Sequence, residues 1–103
     1  MQVASVVSGL FFKEKITAAV NRIGVNTFCE NVAEVEAAQP NIILVDLEHP
    51  HAHLVLQEYG KAVIAFGPHL RSDLLAIAKE FGAKVYPRSV FFGELDKLLH
   101  QHL

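Results

Sequence analysis

The 103-residue chain has little of several features that mark particular classes of protein. Its single cysteine, Cys29, cannot form a disulfide within the chain. No apolar run reaches the roughly 18 residues that a membrane-spanning helix needs. The first residues, Met1 to Ala4, lack the positive region of a signal peptide. We therefore expect a cytoplasmic protein without a membrane partner.

An excess of charge of one sign is also missing. Nine lysines and arginines stand against eleven aspartates and glutamates, for a formal net charge of -2. That balance gives no basic field for nucleic acid, so no nucleic-acid partner is expected. Neither a G-x-G-x-x-G segment nor a Walker loop occurs, and no cofactor is predicted. Hydrophobic residues make up 51% of the chain, which excludes intrinsic disorder, and no linker divides it. Residues 1–103 are expected to form a single domain.

Short β-branched runs alternate with helical patterns in the order βαβαβαβαβα. The clearest strand, residues 41–46, contains a continuous apolar run, which is typical of a central parallel strand buried on both faces. Residues 62–66 form a similar run. Gly24 follows the first helix, where a left-handed residue is favoured. One helical stripe is predicted from Phe12, Ile16, Val20 and Ile23, and another from Leu70, Leu74, Ile77 and Phe81.

Parallel strands need right-handed crossovers, so these units predict one α/β fold. We expect a doubly wound, five-stranded parallel sheet in the flavodoxin-like order 2-1-3-4-5, with helices on both faces. A site is expected beyond the carboxyl ends of strands 1 and 3. Because a carboxylate there is costly to bury unless it is paired, Asp46 is expected to contact Arg88 or His69. The predicted edge site comprises Ser8, Gly9, Asp46, Gly67, His69, Arg88 and Ser89.

Three segments carry a resemblance to a known family. Asn41-Ile42-Ile43-Leu44-Val45-Asp46-Leu47-Glu48-His49-Pro50 is similar to the receiver segment that ends in a phosphoaccepting aspartate, with a proline four residues later. Phe81-Gly82-Ala83 is similar to the close of the fourth receiver helix. If one residue is deleted relative to receivers, Arg88 aligns with the position where they carry a lysine. Phe91 lies near the position of the phenylalanine that follows that lysine in receivers. Over nearly its full length the chain resembles a response-regulator receiver domain, which implies that Asp46 occupies the phosphoacceptor position.

The departures from that family bear on function. Receivers bind Mg²⁺ through an acidic pair at the end of strand 1, where this chain has Ser8-Gly9, and Gly67 replaces their switch Ser or Thr. Phosphoryl transfer to a carboxylate needs a divalent cation. The sequence therefore predicts a degenerate receiver, or pseudo-receiver: a non-catalytic signalling or protein-interaction module. Two alternatives stay open: an atypical receiver phosphorylated on Asp46, and a small-ligand or metal-binding flavodoxin-like protein.

A histidine-rich segment follows strand 3. Imidazole and carboxylate suit transition metals, so Glu48, His49, His51 and His53 are weak metal-ligand candidates. The competing interpretation is a solvated loop, because Pro50 stiffens the stretch and the spacing is unusual for a metal site. No metal is therefore assigned.

The last helix is richer in apolar residues than one face against a small sheet requires. Phe91, Phe92, Leu95 and Leu99 are predicted to form an interface, with Leu98 and Leu103 nearby. Receivers typically associate through helix 4, strand 5 and helix 5, so the resemblance implies a protein partner or homodimer at the same surface. A symmetric dimer is its simplest form.

Overall fold

The structure is a computed structural model that describes residues 1–102. In this range five strands alternate with five α-helices, and a short 3₁₀ helix covers Gly60–Ala62. The strands and helices are β1 (Gln2–Val6), α1 (Leu10–Val20), β2 (Val25–Phe28), α2 (Val32–Ala38), β3 (Ile42–Asp46), α3 (Ala52–Tyr59), β4 (Val63–Gly67), α4 (Ser72–Glu80), β5 (Lys84–Pro87) and α5 (Arg88–His100).

The five strands form one parallel sheet in the order β2-β1-β3-β4-β5. Strands β3 and β4 are buried at every residue, as expected where helices cover both faces of a parallel sheet. The predicted α/β fold with flavodoxin-like strand order is therefore confirmed.

Two separate cores lie on the two faces of the sheet. One packs α1 and α5 and is rich in aromatic rings, with Phe66 and Phe91 fully buried. The other packs α2, α3 and α4 and consists mainly of smaller aliphatic side chains such as Val35, Val55 and Leu56. The sheet therefore separates an aromatic core from an aliphatic one.

The register of α4 differs from the sequence prediction. The helix begins at Ser72, after Leu70, whose side chain is 83% exposed, and Ile77 is 39% exposed. Ala78 is buried and Leu75 is half-buried against the aliphatic core. The predicted stripe is wrong at Leu70 and Ile77 because the buried face of a short helix is set by its contact with the sheet rather than by its largest apolar side chains.

Two helix boundaries show how the sequence specifies its turns. At the start of α2, Asn31 and Glu34 have the spacing of a capping box, and the Asn31 side chain accepts a hydrogen bond from the Glu34 amide at 2.9 Å. The left-handed prediction for Gly24 is wrong. Glycine is needed there for another reason: a Cβ would lie 2.0 Å from the Met1 carbonyl oxygen, which accepts the Val25 amide hydrogen bond that begins β2.

Cys29 lies at the end of β2 and is 1% exposed in the aliphatic core. Burial, together with the charges of Glu34 and Glu30, raises the pKa of its thiol. Across residues 1–102, no helix is long and apolar enough to cross a lipid bilayer.

Candidate functional site at the carboxyl edge of the sheet

Parallel strands bring the loops that follow β1, β3, β4 and β5 to one end of the molecule. We call this end the carboxyl edge. It carries Ser8 and Gly9 after β1, Leu47 to His51 after β3, Pro68 to Arg71 after β4, and Arg88 and Ser89 at the start of α5. The residues of the predicted edge site all lie at this end because each one closes or directly follows a strand.

Asp46 is the buried carboxylate of this edge, with 2% of its surface exposed. Its Oδ1 accepts a hydrogen bond from the Glu48 amide at 3.0 Å, and its Oδ2 accepts one from the Ser8 amide at 3.3 Å. Within residues 1–102 it forms no ion pair within 4.0 Å. Burial raises the pKa of this carboxyl, although the two amides and the charge of Arg88 act in the opposite direction. Asp46 thus links the loop after β1 to the loop after β3 through the backbone amides of Ser8 and Glu48.

Arg88 pairs with a different carboxylate from the one expected. Its Nη2 donates to Glu48 Oε1 at 2.6 Å, and its guanidinium carbon lies 4.7 Å from the Phe12 ring centroid. Within residues 1–102, Arg88 forms no ion pair with Asp46 within 4.0 Å, although its charge still acts on the Asp46 carboxyl. Both members of the observed pair keep part of their hydration, with 31% and 44% of their side chains exposed, so the pair is less costly than one formed at the buried strand end.

The other edge residues bring little chemistry. The His69 side chain is exposed and forms no hydrogen bond or ion pair with any other residue from 1 to 102. Ser8, Gly9 and Ser89 are also exposed. A Cβ at Gly67 would lie 3.4 Å from the Leu47 side chain, which is an ordinary contact. Space therefore does not exclude the hydroxyl side chain that the receiver resemblance implies at position 67.

The histidines after β3 point in different directions. His49 is buried, and its Nδ1 accepts the His51 amide at 3.0 Å, so its Nε2 carries the proton and donates to Glu30 Oε2 at 3.2 Å. His53 instead approaches Gln57 and the edge of the Phe81 ring. No group of three or more His, Cys, Asp or Glu side chains in the described part of the chain is arranged to hold a metal ion. Glu48, His49, His51 and His53 therefore do not converge on one metal.

The predicted interface on α5 needs correction. Phe91 and Leu99 are fully buried and Leu95 is 4% exposed, because this face of α5 fills the aromatic core against the sheet and α1. Leu98 is buried with them, and Leu103 lies outside the described residues. Phe92 is half-buried and stacks on Phe12, with ring centroids 5.2 Å apart. Burial in the monomer removes Phe91, Leu95 and Leu99 from any direct contact with a partner.

The sequence reasoning missed a set of ring contacts that runs from the core to the surface. Stacked Phe66 and Phe91 have centroids 4.4 Å apart, and Phe92 lies 4.9 Å from Phe91. Phe12 stacks on Phe92, and Phe11 contacts Phe12 at 5.8 Å. We call these five rings the phenylalanine cluster.

A sign of this cluster was present in the sequence. Leu10, Phe11 and Phe12 are consecutive at the start of α1, and three adjacent helical residues cannot all face one core. Accordingly, Phe12 is half-buried, whereas Leu10 and Phe11 are 72% and 64% exposed.

Comparison with protein-family models and with curated proteins finds no match for this chain. Its function is therefore inferred from the fold and from the contacts at the carboxyl edge. The fold is α/β and flavodoxin-like, with Asp46 at the end of the central strand.

Proposed function

We propose that this protein is a non-catalytic signalling or protein-interaction module similar to a degenerate receiver, in which Asp46 does not accept a phosphoryl group. The observation that carries the proposal is the burial of Asp46, which is 2% exposed and whose two carboxylate oxygens each accept a backbone amide. A phosphoacceptor must present one oxygen to the incoming phosphorus atom. Asp46 instead holds the Ser8 and Glu48 backbones in place, so its role in the proposal is structural.

The surroundings of Asp46 also disfavour the cation that phosphoryl transfer needs. Mg²⁺ prefers several oxygen ligands, usually including carboxylates. The end of β1 supplies Ser8 and Gly9 instead of acidic residues, and the Glu48 carboxylate is already paired with Arg88. The positive charge of Arg88 acts on Asp46 and would repel a second cation there. The edge is therefore better suited to a fixed conformation than to a metal-dependent switch.

The finer parts of the proposal concern setting and partners. We place the protein in the cytoplasm, where its lone thiol would stay reduced. Association through α4, β5 and α5 remains a prediction. Of the α5 residues first assigned to that surface, Phe92 alone retains partial exposure within the described residues.

Acetyl phosphate with Mg²⁺, followed by intact-mass spectrometry, tests the assignment. We expect the mass of the wild-type chain to stay unchanged, while a phosphorylatable receiver treated in parallel gains a phosphoryl group. The matched variant is Asp46→Asn, which keeps the shape of the side chain and removes its nucleophilic carboxylate. A phosphoryl adduct on the wild type that is missing from Asp46→Asn would establish the rival function of an atypical receiver.

A further inference from the structure

Exposed apolar side chains are concentrated at the carboxyl edge. Among residues 1–102, seven large hydrophobic side chains are exposed, and Leu10, Phe11, Leu70 and Val90 lie in the loops or first helical turns of this edge. Leu10 and Phe11 are adjacent, and Phe11 continues the phenylalanine cluster out to solvent. Two adjacent exposed apolar side chains that continue a buried cluster are a candidate binding surface on a small domain.

Next to this pair, α1 carries two lysines, Lys13 and Lys15, and one glutamate, so its net charge is positive. Lys15 Nζ lies 4.9 Å from the Phe11 ring centroid, and Lys13 Nζ lies 5.5 Å from that of Phe28. Neither lysine forms an ion pair within 4.0 Å with another residue of the described range, and Glu14 is the one carboxylate of α1. The first turn of α1 contains no acidic residue, which leaves the positive end of the helix dipole beside Leu10.

We propose that Leu10, Phe11, Lys13 and Lys15, the α1 docking surface, bind a protein segment that carries an apolar side chain next to a carboxylate. The apolar side chain packs on Phe11, and the carboxylate lies within reach of Lys15. The inference rests on the proposed function as an interaction module, and it names the chemistry of the partner.

Charge distinguishes this partner from two others. Recognition of an anionic membrane typically uses clusters of about four to eight lysines and arginines, whereas α1 carries two lysines and one glutamate. A second copy docked symmetrically through the same surface would bring four lysines and only two glutamates of the two α1 helices into one interface, so both sides would carry net positive charge. An acidic protein segment meets neither obstacle.

Binding can be tested with two short synthetic peptides that share the same leucine and phenylalanine face. One peptide carries glutamates beside that face and the other carries lysines. Titration into the ¹⁵N-labelled full chain, followed by NMR, should shift the amides of the first two turns of α1. We expect the glutamate peptide to bind at least about threefold more tightly than the lysine peptide, the ratio expected for one partly exposed charge pair.

Matched variants locate the contact. Phe11→Ser should abolish binding without unfolding the chain, because Phe11 is 64% exposed. Ile77→Ser, at an exposed apolar position on α4, should leave binding unchanged. Lys15→Glu should reverse the preference between the two peptides. Circular dichroism of each variant checks that the fold is retained.

Several results would overturn the inference: equal affinity for both peptides, no binding, or amide shifts confined to other surfaces. Phe11-dependent sedimentation with phosphatidylserine vesicles would assign the surface to a membrane, and a Phe11-dependent dimer in light scattering would assign it to a second copy. The phosphorylation assay is independent of these measurements. If Asp46 is phosphorylated and the peptide still binds, the proposal that Asp46 is inactive is wrong and the proposed α1 docking surface is still supported.

Discussion

The two faces of the sheet differ in both packing and charge. On the α1–α5 face, rings contact one another from buried Phe66 to exposed Phe11, and Lys15 lies over the Phe11 and Phe92 rings. On the opposite face, the core is aliphatic and the chain around it is acidic. The three helices of that face contain five acidic residues and one lysine: Glu34, Glu36, Glu58, Asp73 and Glu80 against Lys79.

The two faces also differ in how their cores meet the solvent. At the border of the aliphatic core, buried His49 links the loop after β3 to Glu30 in the loop after β2. On the aromatic face, the phenylalanine cluster reaches solvent at Phe11. The same set of contacts therefore stabilises the fold and provides an apolar surface for a partner.

The largest expected effect is on the aromatic face. Phe91→Ala should lower the free energy of unfolding by about 3–5 kcal/mol, because a fully buried ring stacked on Phe66 is replaced by a cavity. Val55→Ala, at a fully buried position of the aliphatic core, should cost clearly less because fewer atoms are removed. Urea unfolding measures both. Equal losses would contradict the view that the aromatic cluster dominates one face.

An intermediate effect is expected at the boundary of the aliphatic face. His49→Leu removes the acceptor of the His51 amide and the donor to Glu30, and should cost roughly 1–3 kcal/mol of unfolding free energy. His53→Leu alters an exposed histidine of the same segment and should change stability by about 0.5 kcal/mol or less. If the two variants are equally stable, the hydrogen bonds of buried His49 do not stabilise this side of the molecule.

The smallest effect is the pH dependence of Asp46, between the two faces. Because its pKa is raised above the ordinary value of 3.8, the folded state keeps the proton to higher pH than the unfolded state does. The stability of the wild type relative to Asp46→Asn should therefore be highest at a pH below the ordinary pKa of 3.8, and it should fall as pH rises through the raised pKa of the folded state.

Asp73→Asn provides a comparison of opposite sign. Arg71 lowers the pKa of Asp73, so stability relative to this variant should fall as pH drops through the lowered pKa. Urea unfolding at a series of pH values measures both differences. A wild-type advantage over Asp46→Asn that grows with pH would contradict the burial of this carboxyl.

The strand order was predictable because its determinants are local and repetitive. Residues 42–45 and 63–66 are continuously apolar, and right-handed crossovers leave few arrangements for five parallel strands. The N-cap at Asn31 was equally readable, because the cap and its partner are three residues apart. These features depend on neighbouring residues and on rules shared by all α/β sheets.

The details of the edge were less predictable because they depend on side-chain directions. Two carboxylates near the end of β3, Asp46 and Glu48, were available to Arg88. Arg88 pairs with Glu48, because an ion pair with the more exposed carboxylate costs less desolvation. The surplus of apolar residues on α5 suggested an interface, but Phe91 is needed to fill the space beside Phe66. Sequence spacing does not reveal how much volume a neighbouring element leaves empty.

The position of Cys29 gives the molecule an intrinsic reporter of opening. This lone thiol is covered where β2 ends, and its raised pKa keeps the reactive thiolate scarce in the native protein. A thiol reagent can therefore label the chain at an appreciable rate only when the outer strand separates from its covering helix. The labelling rate thus measures the opening of one border of the sheet, without any engineered probe.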